Sequence, residues 1–446
     1  MRTADWSLRA RGTTYNLKRR LLPGTRSKLM IQAVVERCAG IDVGKTFVVV
    51  CVMTGAANEE PHVERRRFGT FNEDLERLRL WLKDERCTHA VMESTGSYWK
   101  PIFNILEESI EVILTNALDV RARKGHKTDW KDSWWLAHLL RHGMIRPSFI
   151  PERGIRELRD LTRRRKQLTY EATGVKNRIS KVLEDANIKI GSVLTDIFGV
   201  TGRAILEALL DGNMNPSEMA RLARKSAKQK IPEITASLTS HRLTETQRFL
   251  IRQSFRHLQF LTSCIEELEE EIRRRILSVP EYREASSLLQ TIPGIREDAA
   301  AAIIAEAGVR MGQFPSAKHL SSWVGLCPGN NKSADLEKAG PTTKGNAWLR
   351  ALMVECAWAA AMKRGSYFRS RYQRLLPRTG KKRAVVAVAH SLIKLIYEML
   401  STRTPYRKAA EEVEYERTRM QYVRHHLKAL ARLGYIVPEL RSPPSG

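Results

Sequence analysis

The sequence predicts a mixed α/β domain followed by an all-helical remainder, and three observations predict it. Over about 35–150, short β-branched runs come first in a block and then alternate with helical apolar spacing, the order of a mixed α/β layer. Beyond Pro151 the apolar residues change to a repeat of threes and fours, the spacing of coiled-coil helices. From 286 to 405 the spacing stays helical around a loop-rich middle.

Each element can be justified in order. Residues 35–56 (VERCAGIDVGKTFVVVCVMTGA) are β-branched with Gly punctuation, a buried strand. Residues 62–71 supply one or two further short strands. Residues 73–85 carry Leu75, Leu78 and Leu82 at helical spacing. A strand at 88–92, a helix over 98–107, a strand at 111–114 and a helix over 129–141 complete the domain. In the next region Leu158, Leu161, Arg165, Leu168, Ala172, Val175, Ile179 and Val182 form one coiled-coil seam, with Arg165 its only charge. Leu258, Leu261, Ile265, Leu268 and Ile272 form a second, beyond an insert at about 187–240. The two seams pair antiparallel within the chain or pair between chains, and the spacing allows both. Residues 286–292, Pro293-Gly294 and 298–307 read as helix, tight turn, helix. Such a hairpin either cradles a phosphate on its backbone amides or simply packs. The expected division is a disordered basic arm (1–34), the α/β domain (35–150), a coiled-coil domain with helical insert (151–285), a third domain (286–405) and a helical tail (406–446).

Composition narrows the function. The 446 residues hold 76 Lys+Arg against 49 Asp+Glu, a formal charge of +27, with 42% hydrophobic residues. The chain can therefore bury real cores, and its surplus charge points to a large polyanion, nucleic acid, rather than to a small acidic substrate. No run of 18 apolar residues appears, so no membrane span is expected. Six scattered cysteines without a C-x-x-C pair fit a reducing cytoplasmic setting. Residues 363–383 contain nine Lys/Arg and no acid, interleaved with Tyr367, Phe368 and Tyr372. Lys363, Arg364, Arg369, Arg371, Arg374, Lys381, Lys382 and Arg383 are the candidates for backbone contact, and the aromatics for base stacking.

Four carboxylates stand out. Asp42 sits in G-I-D-V-G, where Gly40 and Gly44 leave room for a phosphate or metal at the backbone. Glu93 ends a later strand in A-V-M-E-S-T-G. Asp129 and Asp132, three apart, share one face at a helix start, where Asp129 also suits a cap. Carboxylates from two strand ends and a helix N-terminus can hold divalent cations for phosphodiester displacement. Gly44-Lys45-Thr46 mimics the end of a P-loop, but the required glycine is replaced by Ala39. G-I-D-V-G also opens the actin and sugar-kinase fold, which needs a second, duplicated domain that the helical C-terminal half does not offer.

In order along the chain, G-I-D-V-G-K, V-M-E-S-T-G-S-Y-W, K-T-D-W-K-D-S-W-W-L-A-H-L-L and I-P-G-I resemble the DEDD insertion-sequence transposases of the insertion-sequence-110 type, relatives of the Piv invertases. Residues 193–209, 327–334 (C-P-G-N-N-K-S-A) and 345–352 resemble the insertion-sequence-1111 subgroup. The resemblance covers roughly 35–405 and implies an RNase H/RuvC-like domain whose acids fall on Asp42, Glu93, Asp129 and Asp132. It also implies a C-terminal transposase domain whose nucleophilic serine falls on Ser333. The implied cofactor is Mg²⁺ or Mn²⁺. The implied partners are donor and target DNA, a structured noncoding guide RNA that pairs with both, and further copies of the chain, from dimer to tetramer, sharing composite active sites. The implied setting is the bacterial cytoplasm, at the nucleoid. This sequence departs from the family after the serine, where Asp335 and Leu336 replace Gly and Lys and put an acid beside the nucleophile. Two other functions compete with a recombinase: a metal-dependent structure-specific nuclease in which water attacks, and a non-catalytic nucleic-acid binder.

Overall fold

The computed structural model describes residues 9–10, 13–14, 33–94, 96–116, 129–239, 243–329, 332–333, 336–337, 340–406, 420, 423–427 and 429–434, with the strands at 9–14 and 332–337 described by backbone alone. The chain divides into two compact units, Met1–Ile150 and Pro151–Gly446. Of the expected basic arm, the short pair β1 (Arg9–Ala10) and β2 (Thr13–Thr14) and residues 33–34 are described. Most of the arm and most of the expected tail lie outside the described residues.

In the first unit the run at 35–56 folds as two strands rather than one. These are β3 (Arg37–Val43) and β4 (Phe47–Thr54), turned at Gly44, whose amide donates to Phe47 O at 3.0 Å. They are followed by β5 (His62–Gly69), α1 (Asn72–Asp84), β6 (His89–Glu93), α2 (Trp99–Leu106), β7 (Glu111–Thr115) and α3 (Asp129–Arg141). The sheet runs β5-β4-β3-β6-β7, antiparallel from β5 to β3 and parallel from β3 to β7. Alternation along the strands sorts side chains between two cores. Ala39, Ile41, Val50 and Met92 pack against Leu75, Leu78 and Leu82 of α1 and Ile102 and Phe103 of α2. On the opposite face Cys38, Cys51 and Val91 pack against Leu136, Ala137 and Leu140 of α3. A fully buried Leu or Ile contributes roughly 1.5–3 kcal/mol, so each layer is firmly held.

In the second unit both seams pair within the chain. They lie on α4 (Arg153–Asp185) and α9 (Glu245–Ser278), long helices packed against each other. The cross-links Glu157–Arg275 and Arg165–Glu269 run in opposite senses along the two helices, which makes them antiparallel. Arg165, the charge in the seam, is thereby neutralised by Glu269 at 2.5 Å. The insert forms α5 (Ile190–Val193), α6 (Val200–Asp211), α7 (Pro216–Arg221) and α8 (Ile231–Leu238), which share one core with the paired helices. Next come α10 (Pro280–Gln290), α11 (Glu297–Ala307), α12 (Ala317–Val324), the strand pair β8 (Lys332–Ser333) and β9 (Leu336–Glu337), α13 (Ala347–Met362) and α14 (Tyr367–Thr402). Within α14 Gly380 is non-helical (φ 74°, ψ 167°) and divides it into two arms. By length and composition α14 is apolar enough to cross a membrane, yet half of that window is buried inside the unit. Val385, Val388, Leu392, Ile393 and Ile396 belong to the core.

Candidate active site

The geometry of the four acids follows from strand alternation and from one glycine. Cys38, Gly40 and Asp42 point to the α3 face of β3, as Val91 and Glu93 do on β6. The parallel register pairs Ile41 with Met92, so Asp42 and Glu93 stand side by side one residue further on, with strands about 4.8 Å apart. Over this face α3 runs opposite to β3: Cys38 Sγ lies 3.6 Å from Ala137 O, and a Cβ built on Gly40 would meet Ser133 O at 2.1 Å. Two residues along the strand thus correspond to one turn back along the helix. The next step carries Asp42 toward the first turn of α3, which bears Asp129 and Asp132. Asp42, Glu93 and Asp132 are half-buried and Asp129 is exposed.

The space at Gly40 is therefore filled by a helix, and Gly44 makes a turn; neither opens the backbone to a phosphate or metal, as the sequence alone suggested. Among the described residues no group of three or more His, Cys, Asp or Glu side chains stands close enough to hold a metal ion. The Mg²⁺ or Mn²⁺ expectation thus rests on donor type and placement. These are oxygen donors only, on two adjacent strand ends and a helix start, a set that fits a hard divalent cation.

Two features of this corner were not read from the sequence. Arg141, in the last turn of α3 and 1% exposed, donates to the carbonyls of Glu36 (2.9 Å) and Ala56 (2.8 Å), with longer bonds to Val35, Gly55 and Glu59. It fixes the far end of the helix whose near end carries two acids. A single arginine in an amphipathic helix gives no sequence signal for such a role. The second feature is a row across the sheet: Asp42 pairs with Val49, and Val49 with Arg67. Arg67 therefore shares the acids' face and end of the sheet; it is exposed and lies over the Phe47 ring at 3.6 Å. Arg65 follows two residues back, opposite Cys51. The run Arg65-Arg66-Arg67 inside a strand was the available signal.

Burial pushes the Cys38 thiol up to about 12, so it is a packing group beneath α3 and not a ligand or nucleophile. His138 is held below the usual histidine value, first by burial and then by His142 and Arg141. It stacks on Trp134 and Trp135, and His142 lies tilted against it.

In the second unit Ser333 lies in β8, whose register is Lys332 with Glu337 and Ser333 with Leu336. Its side chain, and Asn330, Asn331 and Asp335, lie outside the described residues. The base of this hairpin is closed by Gly329 N donating to Pro341 O (2.9 Å) and Thr343 N to Cys327 O (3.2 Å). It is closed also by Gly325 against Gly345, where a Cβ on the latter would meet Gly325 N at 2.4 Å.

The basic stretch is unevenly exposed. Lys363, Arg364, Arg374, Lys381, Lys382 and Arg383 are exposed, whereas Arg369 and Arg371 are half-buried. Phe368 and Tyr372 are buried core residues, the latter against Trp358, and so are not available for stacking bases. At the helix hairpin, Gly294 (φ 88°) sits on α13, where a Cβ would lie 2.7 Å from Ala360 N. Glu297 and Asp298 occupy the first turn of α11. A turn covered by a helix and flanked by acids packs; it does not cradle phosphate.

Two family models match the chain. One, for a transposase of the DEDD IS110 type, matches residues 39–188; the other, described as transposase IS116/IS110/IS902 family, matches residues 286–373. The chain is 29% identical over 196 residues to the transposase for insertion sequence element IS1111A of Coxiella burnetii, covering 43% of this chain and 52% of that one. It is 26% identical over 159 residues to the pilin gene-inverting protein of Moraxella bovis, covering 35% and 49%. A probable family 20 transposase of Pseudomonas aeruginosa is 28% identical over 162 residues, covering 35% and 46%. The chain spans about half the length of the curated relatives it matches. With two family models that together take in more than half of its residues, the chain belongs to the IS110-type transposase family.

Proposed function

We propose that the chain is a DNA recombinase that moves an insertion sequence by metal-dependent strand cleavage and rejoining, guided by a structured noncoding RNA. The observation that carries this reading is the docking of α3 on Gly40, which brings the Asp129/Asp132 end of the helix toward the Asp42–Glu93 strand pair. The sheet order, three antiparallel strands followed by two parallel ones with Asp42 at the end of the central strand, supports an RNase H/RuvC-like reading of this unit.

Asp42, Glu93, Asp129 and Asp132 would hold Mg²⁺ or Mn²⁺. When bound, such a cation neutralises charge developing on the phosphoryl oxygens. Arg67, on the same face, is placed to grip a phosphate of the incoming strand. The Ser333 hydroxyl attacks phosphorus and a sugar oxygen leaves with a proton. This stores the broken phosphodiester as a phosphoserine ester, so strands rejoin without ATP. Acids and serine are expected from different protomers of a dimer or tetramer.

The test is recombination of a donor–target DNA pair with the element's RNA, comparing wild type, Asp42→Ala and Ser333→Ala. Loss of recombination in both variants is expected. Free cut ends with Ser333→Ala at wild-type rate would instead indicate a nuclease in which water attacks. Unchanged behaviour of Asp42→Ala would leave only a nucleic-acid binder.

A further inference from the structure

We propose that the two arms of α14 enclose a binding pocket for one unpaired nucleotide of a single-stranded nucleic acid, built by Tyr367, Arg371, Lys394 and Tyr406. The proposal rests on the reading of the chain as a nucleic-acid enzyme and adds a site that the acids and Ser333 do not include.

The break at Gly380 folds the arms back on each other. A cavity of about 760 Å³ is lined by Tyr367 and Arg371 from the first arm and by His390, Lys394 and Glu398 from the second. Arg371 and Tyr367 precede the break by nine and thirteen residues, and His390 and Lys394 follow it by ten and fourteen, so both arms bring their basic groups to the same cavity. Thr404, Pro405 and Tyr406 close one side, and Tyr406 stacks on the buried Phe368 ring at 6.3 Å. The volume lies within the range of small-ligand sites.

Its charges point to a phosphate. Arg371 Nε is buried with no hydrogen-bond partner, and among the described residues that guanidinium makes one long bond, 3.4 Å, to Tyr367 Oη. A buried, unmatched guanidinium nitrogen is costly unless a ligand accepts from it. Several other arginines of this unit are paired: Arg159 and Arg163 with Glu306, Arg165 with Glu269, Arg310 with Glu281. Arg371 and Lys394 form no ion pair within the described residues, and the single acid of the cavity is Glu398. His390 is held below the usual histidine value by burial, Lys394 and Arg371, which places the three groups together.

The remaining wall suits a base. Tyr367 and Tyr406 line the cavity with aromatic rings, and stacking on such rings is worth about 1–3 kcal/mol per base in single-strand binders. Glu398 is left to accept from an exocyclic amine. A duplex cannot insert a stacked base here, so the pocket selects unpaired strands, whether RNA or displaced DNA.

The test uses the full-length protein, fluorescein-labelled 20-nucleotide single strands of RNA and of DNA, and a duplex of the same sequence, read by anisotropy. Arg371→Gln and Lys394→Gln are each expected to weaken single-strand binding by roughly tenfold and to change duplex binding less than about twofold. The larger loss identifies whether RNA or DNA is the natural source. Ultraviolet cross-linking of a 4-thiouridine strand to the wild-type protein should label Tyr367 or Tyr406 in mass spectra, a readout that needs no variant to fold. Single-strand binding unchanged in both variants, with cross-links elsewhere, overturns the pocket. So does displacement of the strand by a phosphopeptide at equal concentration. If wild type binds neither single strand nor duplex, the functional reading fails as well; if it binds both and the variants match it, only the pocket fails.

Discussion

Gly40 faces the carbonyl of Ser133 so closely that a single methyl group on its Cα would lie 2.1 Å from that oxygen and 2.3 Å from Ala137 N. Both neighbours are helix backbone and cannot swing aside, so Gly40→Ala must lift α3 from the sheet. Overpacking of this kind costs roughly 1–3 kcal/mol and displaces whatever the helix carries. The expected outcome is a lower thermal midpoint together with loss of DNA cleavage. Cleavage at wild-type rate would mean that the seating on β3 of the helix that carries Asp129 and Asp132 is immaterial.

Arg141 holds the other end of the same helix. Replacing it by Met keeps the volume but removes the guanidinium from the carbonyls of Glu36 and Ala56, leaving the latter with the longer bond from Glu59 N at 3.3 Å. Hydrogen bonds from a charged donor are worth about 1.5–3 kcal/mol each, so Arg141→Met should destabilise the protein by about 3 kcal/mol in urea unfolding. Arg141→Lys should recover only part, because one ammonium cannot span the fork of acceptors.

The stacked imidazole on α3 predicts a pH dependence. His138 has a folded value below its ordinary 6.5, so its neutral form is favoured by folding. That contribution is complete above about pH 6.5 and is lost as pH falls toward the folded value. Thermal midpoints should drop on acidification through this window, and His138→Gln should flatten the dependence there. An unchanged slope would show that the ring is not held neutral.

In the second unit Glu306, 3% exposed, accepts from both Nε (2.7 Å) and an Nη (2.9 Å) of Arg163 and from Asn346 Nδ2 at 2.6 Å. Asn346 also caps α13 through Leu349 N. This knot joins α4, α11 and α13. Glu306→Gln should cost about 1.5–3 kcal/mol, since it takes the buried anion away from the half-buried Arg163 and Arg159. Hydrogen exchange should then rise at the start of α13 first.

Much of this fold was legible in the sequence because periodicity reports burial. Leu75, Leu78 and Leu82 pack as their spacing requires, and the two seams find each other. What the pattern could not show was three-dimensional. The run at 35–56 split into two strands because a turn of three residues interrupts continuous hydrophobicity, and period alone is blind to it. Phe368 and Tyr372 looked like stacking platforms, but helical spacing turned them inward. Arg165 looked like an intruder because its partner, Glu269, is 104 residues away in sequence. The four acids were visible as residue types at strand ends and a helix start; the glycine on which α3 docks was visible only as a small residue.

The central claim, that Ser333 attacks DNA with the acids' help, is tested most directly by a denaturing gel. Purified protein, labelled donor DNA, the element's RNA and Mg²⁺ should yield a covalent protein–DNA adduct. That adduct should vanish in Ser333→Ala and fall by about 100-fold or more in Asp42→Ala, with thermal midpoints unchanged. An adduct that persists in Ser333→Ala, or cleavage that proceeds in Asp42→Ala at the wild-type rate, would contradict it.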